Sequence, residues 1–260
     1  MSERAVLLQI EGLLARITLN RPQVLNAMNL AWVHDLEAAV NGAAADPEVR
    51  VVLVEGAGRA FCTGMDLDML GTEGFPPDFY EGHERAFRLL ETMPKISIAA
   101  LHGYCLGGGL QLAISCDIRV ASSDCTLGLP AVLEGLFPAM AVFRLPRLIG
   151  LGPARRLILS GESVTAEEAY RLGLVDHVVP AERWREGLAE IVGLYLRAPR
   201  SATIAAKRLM LRAFDADAET VYQESLPLIR ECLASPEVEA AKVAWRQRKE
   251  ARKAGDGATA

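Results

Sequence analysis

The chain has 260 residues, of which 51% are hydrophobic and 23% are charged, and its formal net charge at pH 7 is −5. This composition is typical of a folded globular protein that can bury a large core as one domain, or as one domain with a helical appendage. The negative charge and the absence of a basic stripe argue against nucleic acid as a partner, because phosphate binding needs a basic field.

The cysteines and the N-terminus indicate the cellular compartment. The spacing of the five cysteines predicts neither a disulfide framework nor a zinc site, so we expect no metal and a reducing environment. The first residues lack a signal-peptide layout, which predicts a cytoplasmic protein. The uncharged stretch between Lys95 and Asp117 is long enough for a membrane span, but its three consecutive glycines and its polar residues favour a buried strand–turn–helix instead.

The first elements follow local patterns. Apolar runs at residues 6–10 and 13–19 flank Glu11-Gly12 and predict a β-hairpin. From Asn29 apolar residues recur at helical spacing, which predicts a helix with Asn29 as its N-cap. The segments that follow are predicted as a strand at 51–54, a turn-rich loop over the site at 71–78 and a helix at 79–93.

The stretch 97–120 is the central feature of the chain. It predicts a strand, a turn, the glycine triplet at 107–109, a helix from Leu110 and a second strand after Asp117. Glycines there allow close backbone approach and leave free N–H groups that can hold a negative oxygen, although a tight packing turn would need the same residues. A second glycine-bearing loop at 59–67 favours the binding interpretation.

Alternating strands and helices predict an α/β fold with right-handed crossovers and a sheet buried on its faces. The last part of the chain changes to helices at 181–197, 201–214 and 218–253. We therefore predict an α/β core at residues 1–195 and a C-terminal helical region at 196–260.

The loop at 59–67 together with residues 102–109 resembles the crotonase superfamily, also called the enoyl-CoA hydratase/isomerase family. Further segments resemble landmarks of that family in order and spacing: 19–22, 25–28, 116–119, 166–169 and 173–176. The resemblance implies a crotonase-like ββα-spiral core with a C-terminal all-α trimerisation region, assembled as a homotrimer or a dimer of trimers. It also implies an acyl-CoA thioester as substrate, with coenzyme A as part of that substrate and no separate cofactor.

The resemblance assigns an oxyanion hole to the backbone N–H groups of Met65 and Gly108, around the thioester carbonyl. Chemistry next to a thioester builds an enolate, and preorganised donors in a dry site stabilise it. The substrate-binding residues that the resemblance implies are Gln23, Val24, Ala60, Thr63, Asp66, Leu67, Gly107 and Ala131. The family often has lysines where this sequence has Gln23 and Asp68, so the contacts to the CoA phosphates must differ here.

The acid–base groups depart from the family pattern. Its hydratases use two glutamates, and this sequence has Gln111 and Ala131 at those positions, which predicts a poor hydratase of simple enoyl-CoAs. Glu134 is the compensating candidate, because on a short helical turn it shares a face with Ala131, where we expect a desolvated carboxyl suited to general acid or base chemistry. The alternative is that Glu134 turns outward or pairs with Arg144 or Arg147.

Other candidates have weaker support. Cys62 could act as a nucleophile, but no histidine stands beside it, which favours a small buried side chain. His102 and Tyr104 at the end of a strand are interpreted as structural. The remaining histidines are interpreted as surface or loop residues: His34, His83 and His177.

Two functions follow. The first is an acyl-CoA enzyme that stabilises a thioester enolate, as an isomerase, as a C–C or decarboxylating lyase, or as a hydratase of an unusual substrate. The second is a non-catalytic acyl-CoA-binding or oligomer-scaffolding member of the family. Glu134 and the intact glycine loops favour the first, whereas Gln111 and Ala131 favour the second.

Overall fold

The structure is a computed structural model that describes residues 4–72, 74 and 76–256, with the backbone alone at residues 70 and 250–256. The strands are β1 (Val6–Glu11), β2 (Leu14–Leu19), β3 (Val51–Gly56), β4 (Ile96–Leu101), β5 (Tyr104–Leu106), β6 (Ile118–Ser122), β7 (Thr126–Gly128), β8 (Ser163–Thr165) and β9 (His177–Val179). The helices are α1 (Leu30–Ala45), α2 (Leu67–Thr72), α3 (Pro77–Thr92), α4 (Gly108–Ile114), α5 (Ala141–Ile149), α6 (Leu151–Ser160), α7 (Ala166–Arg171), α8 (Trp184–Arg197), α9 (Arg200–Met210), α10 (Ala218–Leu233) and α11 (Pro236–Asp256). Short 3₁₀ turns lie at Pro22–Val24, Pro130–Glu134 and Ala181–Arg183.

The main sheet has six strands in the order β1-β2-β3-β4-β6-β9. The first pair is the predicted hairpin and is antiparallel, whereas every later pair is parallel. A second sheet of three strands has the order β5-β7-β8. The two sheets are joined at the turn between β4 and β5, which carries the chain directly towards the glycine triplet.

The main sheet is buried on both faces, and β3 shows why. Val52 and Val54 belong to a hydrophobic cluster with α1 and α3, whereas Val51 and Leu53 belong to a second cluster with α8. Because successive side chains of a strand point to opposite faces, an unbroken run of β-branched and aliphatic residues suits a strand that is covered on both sides.

The predicted hairpin, α1 and central strands are confirmed, and three other predictions need correction. The predicted helix at 201–214 ends at Met210, and the predicted helix at 218–253 is two helices, α10 and α11, with a break at residues 234 and 235. Helix α1 begins after Asn29, whose side chain accepts a hydrogen bond of 2.9 Å from the Trp32 N–H, as predicted for an N-cap. The predicted loop at 71–78 is wrong at both ends, because α2 continues to Thr72 and α3 begins at Pro77, whose fixed φ suits a first helical turn. Residues 73 and 75 of that loop lie outside the described residues.

The chain divides into two compact units between Leu196 and Arg197. In the second unit, the Glu237 carboxylate at the start of α11 accepts hydrogen bonds of 2.8 and 2.9 Å from the N–H groups of Arg200 and Ser201 at the start of α9. The charge thereby satisfies two N–H groups that a helix N-terminus leaves unpaired. Along the described ranges, no helix combines the length and the apolarity that crossing a membrane requires.

Candidate functional site

Three segments of the first unit meet at the glycine triplet, and backbone hydrogen bonds fix their register. The Met28 N–H donates to the Gly64 carbonyl at 2.7 Å, and the Asp66 N–H donates to the Met28 carbonyl at 3.0 Å. On the other side of the same loop, the Leu106 N–H donates to the Cys62 carbonyl at 2.9 Å. The loop that carries Met65 is therefore held between the N-terminal turn and β5.

Glycine is required where this loop crosses the start of α4. A Cβ on Gly109 would lie 2.3 Å from the Cys62 carbonyl oxygen, and a Cβ on Gly64 would lie 2.9 Å from the Gly108 nitrogen. Gly64 also has a φ of +90°, a backbone conformation that residues with a side chain rarely adopt. The two glycine loops thus touch backbone to backbone, which places Met65 next to Gly108.

The N–H groups of Met65 and Gly108 take no part in the hydrogen bonds that hold the two loops together. Gly108 is the first residue of α4, and the first N–H groups of a helix have no acceptor within it. Met65 pairs with Met28 in a single β-bridge whose hydrogen bonds use the residues on either side of Met65. Within the described residues, neither N–H group has a hydrogen-bond acceptor.

Both residues line a cavity of about 160 Å³. A cavity of about 150 Å³ accepts a benzene molecule, so this one fits an acyl group of roughly six heavy atoms. It brings together eight of the predicted site residues: Thr63, Met65, Leu67, Gly107, Gly108, Gln111, Ala131 and Glu134.

Four predicted residues lie outside the cavity lining. Gln23 and Val24 are exposed on the first 3₁₀ turn, and Ala60 is fully buried. Asp66 pairs with the Arg21 guanidinium at 2.9 Å, so its carboxylate supports the loop rather than facing the cavity. All four lie on the N-terminal turn or contact it, because Asp66 pairs with Arg21 and the Asn26 amide donates to the Ala60 carbonyl.

Glu134 reaches the cavity, as predicted, but it is not buried. On the 3₁₀ turn Pro130–Glu134, Ala131 and Glu134 are three residues apart and share a face, because residues at that spacing eclipse one another. The expected desolvation is wrong, because Gly135 ends the turn at the surface with a φ of +72° and leaves Glu134 exposed. The carboxyl group therefore lies at the mouth of the cavity.

The alternative pairing of Glu134 with an arginine is also wrong. Glu134 has no hydrogen bond or ion pair among the residues that the structure describes. The Arg144 guanidinium is buried and pairs with Glu84 at 2.7 Å and with Glu91 at 3.1 Å, both on α3. Arg147 lies over the Phe143 ring, 3.4 Å from its centroid.

Comparison with known proteins identifies the family. The sequence model of the family described as enoyl-CoA hydratase/isomerase matches residues 9–253. The chain belongs to the enoyl-CoA hydratase/isomerase family. A short-chain-enoyl-CoA hydratase from Clostridium acetobutylicum is 33% identical over 248 residues, which cover 92% of this chain and 94% of that protein.

Solved structures agree with this assignment. An enoyl-CoA hydratase from Bacillus anthracis superposes with a TM-score of 0.87 at 29% identity, covering 94% of this chain and 96% of the other. A Thermobifida fusca protein in complex with CoA superposes with a TM-score of 0.82 at 31% identity, covering 92% and 95%. The predicted crotonase-like α/β fold is therefore confirmed, and the chain is an acyl-CoA enzyme of this family.

Gln111 stands where hydratases of this family were expected to have a glutamate. It is on α4, its side chain is 8% exposed, and it lines the cavity. Its Oε1 atom has no hydrogen-bond partner within the described residues. The amide can accept a hydrogen bond from a ligand, but it cannot take up a proton near neutral pH.

His83 is the site residue that sequence analysis missed. It was interpreted as a surface residue, but it is 4% exposed and lines the cavity from α3. The available signal was its position, since Phe79, His83 and Phe87 recur every four residues on the buried face of the predicted helix. Burial lowers the pKa of His83 to about 4, and a contact with the Phe79 backbone and the charge of Glu84 oppose this shift.

Cys62 has the structural role that was favoured. It is fully buried, and burial raises the pKa of its thiol to about 12, so the reactive thiolate is absent near neutral pH. Its Sγ atom accepts a hydrogen bond of 3.4 Å from the Gly64 N–H and so contributes to the loop geometry.

His102 does not line this cavity, and its Nε2 lies 3.1 Å from the Gly58 carbonyl oxygen.

Proposed function

We propose that this chain is an acyl-CoA isomerase or lyase that stabilises a thioester enolate with the N–H groups of Met65 and Gly108. Glu134 is the acid–base group, and Gln111 orients the substrate. One observation carries the proposal: Met65 and Gly108, whose N–H groups have no acceptor among the described residues, line the same space of about 160 Å³ as Glu134.

The backbone donors supply the electrostatic part of the reaction. Removing a proton or a carbon substituent next to a thioester places negative charge on the carbonyl oxygen. Two N–H groups held by the loop hydrogen bonds stabilise that charge without reorganisation, each by about 10²–10³ in rate. Because the donors are backbone groups, the Met65 side chain is not needed for this step.

Isomerisation suits a site with a single carboxylate. The Glu134 carboxylate takes a proton from the α-carbon of a 3-enoyl thioester, which gives a dienolate, and the resulting acid returns the proton to the γ-carbon, which gives the 2-enoyl thioester. Hydration would need a second group to hold and split a water molecule. A lyase that cleaves a bond at the α-carbon would pass through the same enolate and would need one proton at its end.

The test is turnover of 3-hexenoyl-CoA, followed by ultraviolet absorbance of the conjugated product. Glu134→Gln should lower kcat by about 10²-fold or more and leave the affinity for the thioester nearly unchanged, because it removes proton transfer and keeps shape. Gln111→Ala should lower kcat by a smaller factor. Full activity of Glu134→Gln would contradict the assigned role.

A panel of acyl-CoAs analysed by mass spectrometry separates the reactions. Cleavage lowers the mass and hydration adds one water molecule, whereas isomerisation leaves the mass unchanged and is detected by the ultraviolet absorbance of the conjugated product. The second candidate, a non-catalytic acyl-CoA-binding member, is favoured by Gln111 and Ala131 and by the solvent exposure of Glu134, and binding without turnover across the panel would support it. Calorimetry that shows no binding of acetyl-, crotonyl- or longer acyl-CoAs at millimolar ligand would contradict both.

We also propose that CoA follows the first 3₁₀ turn and the loop after β3, which carry the four predicted residues outside the cavity lining. We further propose that the chain assembles in the cytoplasm as a homotrimer or a dimer of trimers, with helices α9–α11 as the trimerisation region. A monomeric mass by light scattering at micromolar protein would contradict the assembly.

A further inference from the structure

Arg21 joins the N-terminal turn, residues 21–28, to the loop that carries Met65. Its Nη1 atom donates hydrogen bonds to the Ala27 carbonyl at 2.5 Å and to the Asp66 carboxylate at 2.9 Å. The side chains of Arg21 and Asp66 are only 16% and 15% exposed, so water and salt screen this ion pair less than an exposed one. A charge-assisted hydrogen bond in such a place holds its two partners firmly.

Asn26 holds the other end of the same loop. Its side chain is fully buried, its Oδ1 atom accepts a hydrogen bond of 2.8 Å from the Arg21 N–H, and its Nδ2 atom donates to the Ala57 and Ala60 carbonyls at 2.9 and 2.8 Å. Asn26 has a φ of +58°, a left-handed conformation that asparagine adopts more readily than most residues. The N-terminal turn therefore holds the loop at both of its ends.

Two hydrogen bonds to Met28 set the direction of the Met65 N–H. The Gly64 carbonyl accepts from the Met28 N–H, and the Asp66 N–H donates to the Met28 carbonyl. The carbonyl and the N–H of a trans peptide point in opposite directions. Because the Gly64 carbonyl faces Met28, the N–H of Met65 in the same peptide unit faces away from the N-terminal turn.

We propose that Arg21 and Asp66 are positioning residues that keep the Met65 N–H aimed at the thioester carbonyl. The inference rests on the oxyanion hole of the proposed function. Arg21 binds Ala27 and Asp66, each of which is next to one member of the Met28–Met65 bridge, so sliding one segment past the other would stretch both hydrogen bonds. An oxyanion donor must lie about 2.7–3.1 Å from the oxygen, and a misplacement of about 1 Å can lower the rate about 10²-fold.

The Arg16–Glu55 ion pair offers a matched comparison. It joins β2 to β3 at 2.8 Å, its side chains are 33% and 25% exposed, and it lines a groove separate from the cavity of Met65 and Gly108. Removing its charge tests the loss of a half-buried ion pair without changing the contacts of the Met65 loop.

The first test is kinetic and uses Asp66→Asn and Arg21→Met, which each remove one charge with little change in size. In the folded variants kcat for 3-hexenoyl-CoA should fall about tenfold or more, whereas the Kd of hexanoyl-CoA should change less than about threefold. The double variant should lose about as much as the larger single loss, because both residues act through one pair. Glu55→Gln should keep the wild-type kcat.

The second test is spectroscopic and gives a readout that a purely structural role would not change. When hexanoyl-CoA with an isotope-labelled carbonyl binds to the wild-type protein, hydrogen bonds to the carbonyl oxygen should lower its infrared stretching frequency. In Asp66→Asn the band should return towards its position in the free thioester, although the ligand is still bound.

The outcomes separate the inference from the proposed function. Wild-type kcat and band position in the folded variants would overturn the inference, as would an equal loss of kcat in Glu55→Gln. If Arg21→Met does not fold, Asp66→Asn decides alone. A wild-type protein that shifts the band without turning over 3-hexenoyl-CoA contradicts the proposed reaction, and the variants then still test the positioning role by the band. A wild-type band at the free-thioester position would overturn both.

Discussion

Backbone groups form one end of the cavity, and side chains form the other. The glycine end, formed by Gly64, Met65 and Gly108, presents backbone N–H groups that are fixed by inter-segment hydrogen bonds. The side-chain wall, formed by α3 with His83 and by the 3₁₀ turn with Glu134, presents side chains. A backbone donor survives most substitutions, whereas a wall of side chains changes its chemistry with a single one. The proposed enolate stabilisation and the choice of substrate can therefore vary independently.

The largest expected effect comes from breaking the glycine end. Gly109→Ala should destabilise the protein by about 3 kcal/mol or more, because its Cβ would meet the Cys62 backbone, which cannot move without breaking the loop. Chemical denaturation measures the free energy of unfolding.

Gly108→Ala is the matched control for this variant. Its Cβ would approach the Met28 Sδ at 2.4 Å, and a flexible thioether can move away. This variant should lose clearly less stability than Gly109→Ala. Equal losses would show that the backbone contact is not the reason for the glycine.

The burial of His83 in the side-chain wall should make the stability of the protein depend on pH. The pKa of His83 falls from 6.5 in the unfolded chain to about 4 in the folded protein. Between these values only the unfolded chain binds the proton, so stability falls as the pH is lowered from 6.5 to about 4, by roughly 2–3 kcal/mol from this group.

His83→Phe isolates this contribution. Other groups titrate in both proteins, so the difference in the free energy of unfolding between wild type and variant should change across that pH window. Urea unfolding at several pH values measures it. A difference that is constant with pH would show that His83 keeps its ordinary protonation in the folded protein.

The smallest effect is expected at Met65. Met65→Ala should change kcat for the proposed isomerisation by less than about threefold, because the proposed donor is the backbone N–H and the side chain is only partly buried. Leu67→Ala, at an exposed residue that lines the same cavity, serves as the comparison. A loss of about 100-fold at Met65 alone would show that the side chain takes part in the reaction.

The sequence was more informative about the glycine end than about the wall. Glycines at Gly64 and Gly109 are imposed by backbone contacts, so local patterns and the family resemblance predicted both loops. The hairpin and α1 were predicted for the same reason, since periodicity and an N-cap are local properties. The division of roles between backbone and side chains was therefore visible before the structure.

The wall depends on packing between distant segments, which local patterns do not report. The burial of His83 was missed, although its spacing from Phe79 and Phe87 places it on the apolar face of the predicted helix. The residue type was the reason, because histidine alone does not indicate whether a helix face is buried or exposed. For Glu134 the helical turn was predicted, but its exposure depends on how Gly135 returns the chain to the surface. The partners of Arg144 lie on α3, more than 50 positions away in the sequence.

That buried Arg144 has a consequence for engineering. Its guanidinium joins α5 to Glu84 and Glu91 on α3, so one charged group connects the helix that lines the cavity to a neighbouring helix outside the lining. Removing both glutamates would leave the buried Arg144 charge unpaired, and breaking a buried pair in this way typically costs about 3–5 kcal/mol. A transplant that gives this scaffold a relative's acyl preference must therefore exchange α3 and α5 as one cassette, while the glycine loops stay in place.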